Sequence, residues 1–400
     1  MRVRAGFVWR EGNRVTLYRD GIEFFPPMLQ AIEAARERVY LEMYLMESGE
    51  VARRFVDALC AAARRGVAVY CLLDDFGSLK LRRSDRRRLV EAGVHLAFYN
   101  PLDWRKWLGN LYRDHRKLLL VDEAVAFVGG AGLTDEFLLG ERAWRETMVA
   151  VSGPCVADWA VLFQRNWRRW SRYCLPKGGD LEGGKDGWSG RVQYSAAGRY
   201  LGVKWALEQR VRQAQRRVWL TTAYFVPPVK LRRALSGAAR RGVDVRLILP
   251  GPHTDHPAVR HAGRRFYTRL LRDGVRIYEF QPRFIHAKMA LVDDWAMVGS
   301  ANFDRWNLRW NLENDQEIDA PEFAVRLEAM LRRDLEDCEE ITLEGWLTRP
   351  AWERLLARLF GHLDLWLWGL AQMRGVWPSL RRGRLRRPRR PSGGPGARRG

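Results

Sequence analysis

Two copies of one chemical phrase, His-x-Lys-(x)4-Asp, occur in this chain: His115, Lys117 and Asp122, then His286, Lys288 and Asp293. Two histidines and two lysines are enough to handle a phosphodiester without a metal ion. A neutral imidazole can attack phosphorus and hold it covalently, while a protonated one gives its proton to the departing alkoxide. The ammonium groups hold the phosphoryl oxygens as negative charge shifts in the transition state. The aspartates lie five residues past their lysines, on the opposite strand parity. They read as structural, orienting and neutralising the basic cluster. A single triplet of this kind arises by chance. Two at equal spacing do not, especially when each precedes a turn of small residues, Gly129-Gly130-Ala131-Gly132 and Gly299-Ser300-Ala301-Asn302.

The elements that must position these groups are legible around them. Residues 117–121 and 288–292 are apolar after the lysine, and each run is followed, beyond a charged turn, by another at 125–128 and 295–298. These read as two hairpins of buried strands. Side chains two apart on a strand share a face, so His115 with Lys117 and His286 with Lys288 can line one pocket. The duplication extends further: AARRGV at 62–67 returns at 238–243, each copy closing an amphipathic helix and opening an apolar strand. Gly93-Val94 before the strand into Asn100-Pro101 has its echo in Gly274-Val275 before the strand into Gln281-Pro282. The alternation predicts an α/β fold of two homologous lobes, 1–175 and 188–345, meeting face to face around a shared site. The Gly-rich polar stretch 176–187 is the expected linker. An amphipathic segment, 346–380, and a disordered Arg-rich tail, 381–400, would follow.

The paired motif resembles the phospholipase D superfamily. The stretches 12–25 (GNRVTLYRDGIEFF), 144–154 (WRETMVAVSGP) and 311–314 (NLEN) extend the resemblance to bacterial cardiolipin synthases, over roughly residues 10–345. The resemblance implies two phospholipase D-like lobes with His115 and His286 as the catalytic pair. Lys117, Lys288, Asp122, Asp293, Ser300, Asn302 and Gly130 would complete the site. Glu146 and Glu313 match acidic positions that orient the histidines, fixing tautomer and ring direction. One position departs from the pattern: Gly132 stands where many relatives have Asn, so the first half loses a side-chain hydrogen bond.

Net charge is +22, and the nine arginines of residues 381–400 leave +13 on the remainder. Such a surface seeks polyanions, either nucleic acid or an anionic bilayer. The aromatic pattern favours the bilayer. Trp352, Leu355, Leu356, Leu359, Phe360, Leu363, Trp366, Leu367, Leu370, Met373 and Trp377 recur at steps of three and four, broken by Arg354, Arg358, His362 and Asp364. That predicts an interfacial helix, with basic residues 381–390 holding anionic headgroups behind it. Residues 102–112, with Trp104, Arg105, Lys106 and Trp107, are a second candidate for meeting headgroups at the pocket mouth. No segment reaches about 18 uncharged apolar residues, and residues 1–20 carry charges throughout, which predicts a peripheral protein on the cytoplasmic face of the membrane. Five cysteines without a CxxC pair argue for a reduced compartment and against zinc; no cofactor and no metal is expected.

The resulting expectation is a phosphatidyltransferase of the cardiolipin synthase type. It would move a phosphatidyl group from one phosphatidylglycerol to another through a phosphohistidine; the pattern does not say which histidine is the nucleophile, and the superfamily's tendency towards the N-terminal copy implies His115, with His286 as the acid. Phosphatidylglycerol and cardiolipin in an anionic bilayer are the expected partners, with no obligatory nucleic acid. A hydrolase or nuclease using water at the same site, or an idle binding adaptor, would be the alternatives.

Overall fold

In the computed structural model the strands of both halves join one sixteen-stranded sheet among the described residues. The structure describes residues 6–175, 186–197, 201–305, 307–356 and 359–361, with the backbone alone for Leu308 and Arg309.

From one edge the strands run Cys338–Ile341, Arg276–Phe280, Asp244–Pro250, Arg217–Thr221, Met289–Val292, Trp295–Gly299, Asn311–Asp319 and Trp188–Ala196. The series then continues without a break through Arg10–Arg19, Thr147–Ser152, Val125–Gly129, Lys117–Val121, Arg38–Met43, Ala68–Asp74 and His95–Tyr99. The second series is the first in mirror order without the edge strand Cys338–Ile341, so the duplication read in the sequence is a duplication of topology. The halves join where Arg10–Arg19 pairs antiparallel with Trp188–Ala196.

Within each half three strands are parallel: Arg38–Met43, Ala68–Asp74 and His95–Tyr99 in the first, Arg217–Thr221, Asp244–Pro250 and Arg276–Phe280 in the second. Helical crossovers connect them, among them Glu50–Arg64 and Val229–Arg240. Helix Glu50–Arg64 buries Val51, Phe55, Leu59 and Ala62, the three- and four-residue recurrence of one face. The repeated AARRGV is its stop signal: Gly66 and Gly242 take φ 92° and 86°, the left-handed conformation that ends a helix at least cost when the residue is glycine.

Both expected hairpins form: Lys117–Val121 pairs with Val125–Gly129, and Met289–Val292 with Trp295–Gly299. Alternation divides their side chains between two cores. Leu118, Leu120 and Val128 join Met289, Leu291 and Val298 in one cluster between the halves, together with Trp159 and Phe163 of helix Cys155–Trp170 and Phe323 and Leu327 of helix Pro321–Glu336. The opposite face of each hairpin packs in its own half, Leu119 and Phe127 in the first and Ala290 and Met297 in the second. The lobes thus meet face to face as well as edge to edge.

Trp346 is buried, lies 4.9 Å from the Tyr267 ring and donates to Thr268 Oγ1 at 3.0 Å. The boundary expected at 345 therefore falls inside helix Leu343–Thr348, which packs on the second half. Of the expected amphipathic segment, Phe360 stacks on His261, whereas Trp352, Leu355 and Leu359 are exposed. Its residues 357–358 and 362–380, the Arg-rich tail and linker residues 176–185 lie outside the described residues. No helix among the described residues is long and apolar enough to cross a membrane.

Candidate active site

The two histidines sit immediately before their hairpin strands, and each is tethered by its backbone to the other half. Residues Arg113–Asp114 pair in parallel with Asn311 and Leu312, and the His115 N–H donates to the Leu312 carbonyl at 3.0 Å. Its counterpart is the bridge between Arg145 and Ile285, where the His286 N–H donates to the Arg145 carbonyl at 2.8 Å. Each histidine is thereby placed beside the glutamate that follows the tether. His115 Nδ1 lies 3.0 Å from Glu313 Oε2, and His286 Nδ1 lies 2.5 Å from Glu146 Oε2. The pairing is crossed: each imidazole takes its carboxylate from the opposite half.

A carboxylate against Nδ1 holds the Nδ1–H tautomer and leaves Nε2 as the reactive nitrogen. Both glutamates are fully buried, and their remaining contacts differ. Glu313 Oε2 also accepts from Ser300 Oγ at 2.6 Å. Glu146 Oε1 accepts from the Thr147 N–H at 2.9 Å, while Lys288 Nζ lies 3.4 Å from its Oε2. Lys117 Nζ donates to the His115 carbonyl at 2.7 Å, and Lys288 to the His286 carbonyl. The lysines thus sit against their own histidines, and each also acts electrostatically on the histidine of the other half.

Burial governs the electrostatics. It drives His115 well below the usual imidazole range and His286 down to about 4, the lysines adding to the effect. Burial likewise lowers Lys117 to about 7 and depresses Lys288. The glutamates respond in opposite directions. Burial raises Glu313 to about 8 against the pull of Lys117 and Ser300. At Glu146 the same burial is outweighed by Lys288 and by the hydrogen bond and charge of His286, which hold it below the ordinary value. A phosphate entering this pocket supplies the missing negative charge, favouring protonated lysines and a protonated imidazole.

Asp122 and Asp293 stand elsewhere. Asp122 accepts from the backbone N–H groups of Arg36, Glu37 and Arg38 at 2.8–2.9 Å. Asp293 accepts from Gln215, Arg216 and Arg217 at 2.9–3.1 Å. Both take positive φ, 51° and 52°, at the turn of their hairpins, where Asp is among the tolerated residues. The expectation that they orient and neutralise the basic cluster is corrected: they lie at the far end of the strand and fasten the start of the neighbouring parallel strand to the hairpin.

The small-residue turns lie beneath the glutamates. A Cβ at Gly130 would stand 2.4 Å from Glu146 Oε2, so the missing side chain makes room for this carboxylate, whereas in the other half Ser300 donates to Glu313. Asn302 Oδ1 accepts from Thr222 Oγ1 at 3.2 Å and the Tyr224 N–H at 3.3 Å. At Gly132 a Cβ would come within 2.8 Å of Leu45, and the corresponding link is a backbone bond, Leu133 N–H to the Leu45 carbonyl at 2.8 Å. The side-chain bond expected to be lost in the first half is replaced by main chain.

Several contributors carried no assignment in the sequence. Tyr44 and Tyr224, each just beyond the end of a parallel strand, face the histidines edge-on with ring centres 4.8 Å from His115 and 6.5 Å from His286. Trp144, Phe137 and Phe284 surround His286 at 5.3–5.6 Å. Arg145 is buried in a two-bonded pair with Asp334, at 2.8 and 2.7 Å, which anchors the segment that carries Glu146. Trp144 and Arg145 belong to a recognisable stretch, but nothing in the sequence linked Arg145 to a helix 189 residues away.

The family model described as cardiolipin synthase, PLD-like domain matches residues 28–167 and 207–335, once in each half. Cardiolipin synthase B of Salmonella typhimurium is 34% identical over 370 residues, covering 87% of this chain and 86% of that protein. A probable cardiolipin synthase of Bacillus subtilis, YwiE, is 30% identical over 364 residues, 87% of this chain and 72% of that one. Among solved structures, phosphatidylserine synthase of Haemophilus influenzae superposes with a TM-score of 0.67 over 91% of this chain and 96% of that chain, at 14% identity, a likeness of fold. The repeated lobe and the extent of these matches make the chain a member of the cardiolipin synthase family of phospholipase D-like enzymes.

Proposed function

We propose that this protein transfers a phosphatidyl group from one phosphatidylglycerol to the primary hydroxyl of a second, forming cardiolipin and releasing glycerol. The observation that carries the reading is the crossed His–Glu pairing, which turns each Nδ1 to a carboxylate of the other half and leaves each Nε2 clear of it, with Lys288 Nζ 3.0 Å from the Nε2 of His286. His115 Nε2 attacks phosphorus, forming an N–P bond as the P–O bond to glycerol breaks. His286 gives its Nε2 proton to that oxygen. His286, now neutral, then takes the proton of the incoming hydroxyl as its oxygen displaces His115, which returns both side chains to their starting state. Lys117 and Lys288 hold the non-bridging oxygens throughout.

The unequal carboxylates support this division of labour. Glu146, held ionised, favours an imidazolium at His286, whereas Glu313, raised by burial, favours one less at His115; in its ionised form Glu313 keeps the His115 proton on Nδ1 and leaves the Nε2 lone pair free to attack. The bonds made and broken are alike, so product depends on the lipid alcohol outcompeting water at the phosphohistidine. Peripheral attachment to the cytoplasmic face of the membrane, aided by residues beyond 361, would serve that end. Incubating the purified chain with labelled phosphatidylglycerol vesicles tests the reading: cardiolipin and glycerol are expected. Phosphatidic acid alone would make the enzyme a hydrolase, and no lipid product would overturn the assignment.

A further inference from the structure

The connections that follow strands Ala68–Asp74 and His95–Tyr99 expose Phe76, Leu79, Leu102, Trp104, Trp107 and Leu111 on one rim. Trp104 and Trp107 are 80% and 76% exposed. Their loop is held from within. The Asn100 side chain donates to the Gly109 and Tyr112 carbonyls at 2.9 and 2.8 Å, and the Leu102 N–H donates to Asp75 Oδ2 at 2.9 Å. Asp103 and Asn110 bond to each other twice. The loop thus satisfies its polar groups internally and turns its indoles outward, the reverse of an ordinary solvated loop. Trp107 takes φ 47°, a strained backbone for so bulky a residue.

The rim adjoins the reactive groups. Tyr112 packs edge-on against Trp310 at 5.1 Å, just before the strand that carries Glu313, and the loop runs directly into Arg113 and His115. Gly77, between Phe76 and Leu79, presses on the Tyr44 carbonyl, and Tyr44 faces His115. The rim is also basic: Arg82, Arg83, Arg87 and Arg105 are exposed and have no carboxylate partner among the described residues, Arg105 lying 5.2 Å over the Trp104 ring. Indoles flanked by unpaired cations suit the level of anionic headgroups, where the ring is half desolvated and the charge is neutralised.

We propose that residues 75–83 and 100–112 form a membrane-docking rim. Trp104 and Trp107 enter an anionic lipid surface beside the mouth of the site, so that a phosphatidyl headgroup reaches His115 without the lipid leaving the bilayer. This rests on the lipid-transfer reading and gives that site its orientation on the membrane.

The test uses the full chain carrying Trp104→Ala and Trp107→Ala, compared with wild type in sedimentation with vesicles of phosphatidylglycerol and phosphatidylcholine. Affinity should fall at least tenfold and turnover on vesicles should fall with it, while turnover of short-chain phosphatidylglycerol below its micelle threshold stays within about twofold. Arg82→Glu with Arg105→Glu, changes confined to the surface, should weaken binding only where phosphatidylglycerol is present. Vesicle affinity within twofold of wild type in both variants overturns the proposal, as does loss of an oligonucleotide or protein partner with vesicle binding intact. Vesicle binding is read without catalysis. A wild-type chain that turns over no phospholipid would therefore sink the active-site reading, leaving the rim to stand or fall on sedimentation.

Discussion

Gly130→Ala adds one methyl group at a point where the two halves differ, Gly130 standing where the second half has Ser300. The backbone of Gly130 lies outside the left-handed region, so the methyl is the whole perturbation. Built onto the structure, it would stand 2.4 Å from Glu146 Oε2 and 2.6 Å from Cδ and Oε1. Ordinary contact begins near 3.4 Å, so the carboxylate must retreat by about 1 Å. Its 2.5 Å bond to His286 Nδ1 then lengthens to about 3.5 Å, beyond a hydrogen bond. A buried hydrogen bond to a charged group contributes about 1.5–3 kcal/mol, and about 1.4 kcal/mol is a factor of ten, so kcat/KM should fall by about 10- to 150-fold. The assay is the steady-state rate with two phosphodiesters, one releasing glycerol and one releasing a nitrophenol. If His286 is the acid, the loss is large with the poor leaving group and small with the good one. Gly130→Ser should recover part of the activity, its hydroxyl donating to Glu146 as Ser300 does to Glu313. A Gly130→Ala enzyme that keeps more than half of wild-type kcat/KM on the glycerol ester would refute the claim that this carboxylate is pinned against His286.

The remaining predictions use separate parts of the molecule. His115→Ala and His286→Ala should each lower turnover by about 10^2- to 10^4-fold without unfolding the chain; alkali-quenched enzyme with lipid labelled in its phosphatidyl part should carry label in wild type and in His286→Ala given an activated leaving group, and lose it in His115→Ala, and label surviving there would reverse the roles. Asp334→Ala strands the buried Arg145 and should cost about 3–5 kcal/mol in urea unfolding; a loss under 1 kcal/mol would show the pair to be dispensable. His286, buried and held near 4 against 6.5 when unfolded, takes up its proton more readily in the unfolded chain, so stability falls as pH drops from about 6.5 to about 4 and levels off below. His286→Gln should flatten that slope by an amount on the order of 3 kcal/mol, and an unchanged slope would contradict the depressed value. Removing residues 362–400 takes away Trp366, Trp377 and the nine tail arginines and should weaken binding to anionic vesicles while sparing a soluble phosphodiester; unaltered vesicle binding would exclude this segment as an anchor.

Chemistry and local structure were legible in the residues themselves. Short continuous apolar runs after Lys117 and Lys288, each closed by a charged turn and followed by a second such run, read as hairpins of strands buried on both faces, and Gly66 and Gly242 mark helix ends because a positive φ is least costly without a Cβ. The repeat of both signals implied two like lobes, and the mirrored strand order is that repeat in three dimensions. What the tertiary structure alone decided is which half serves which histidine. Glu313 is 198 residues from His115 and Glu146 is 140 from His286, and no local spacing encodes a contact made by strands crossing between halves. Asp122 and Asp293 show the same gap from the other side. Their proximity in sequence to the lysines suggested a place in the site, but the hairpin carries them a strand's length away, to backbone donors that only the folded sheet brings within reach. Sequence spacing reports which side chains share an element; the dielectric, partners and charge that make two chemically identical histidines unequal belong to the packed interface.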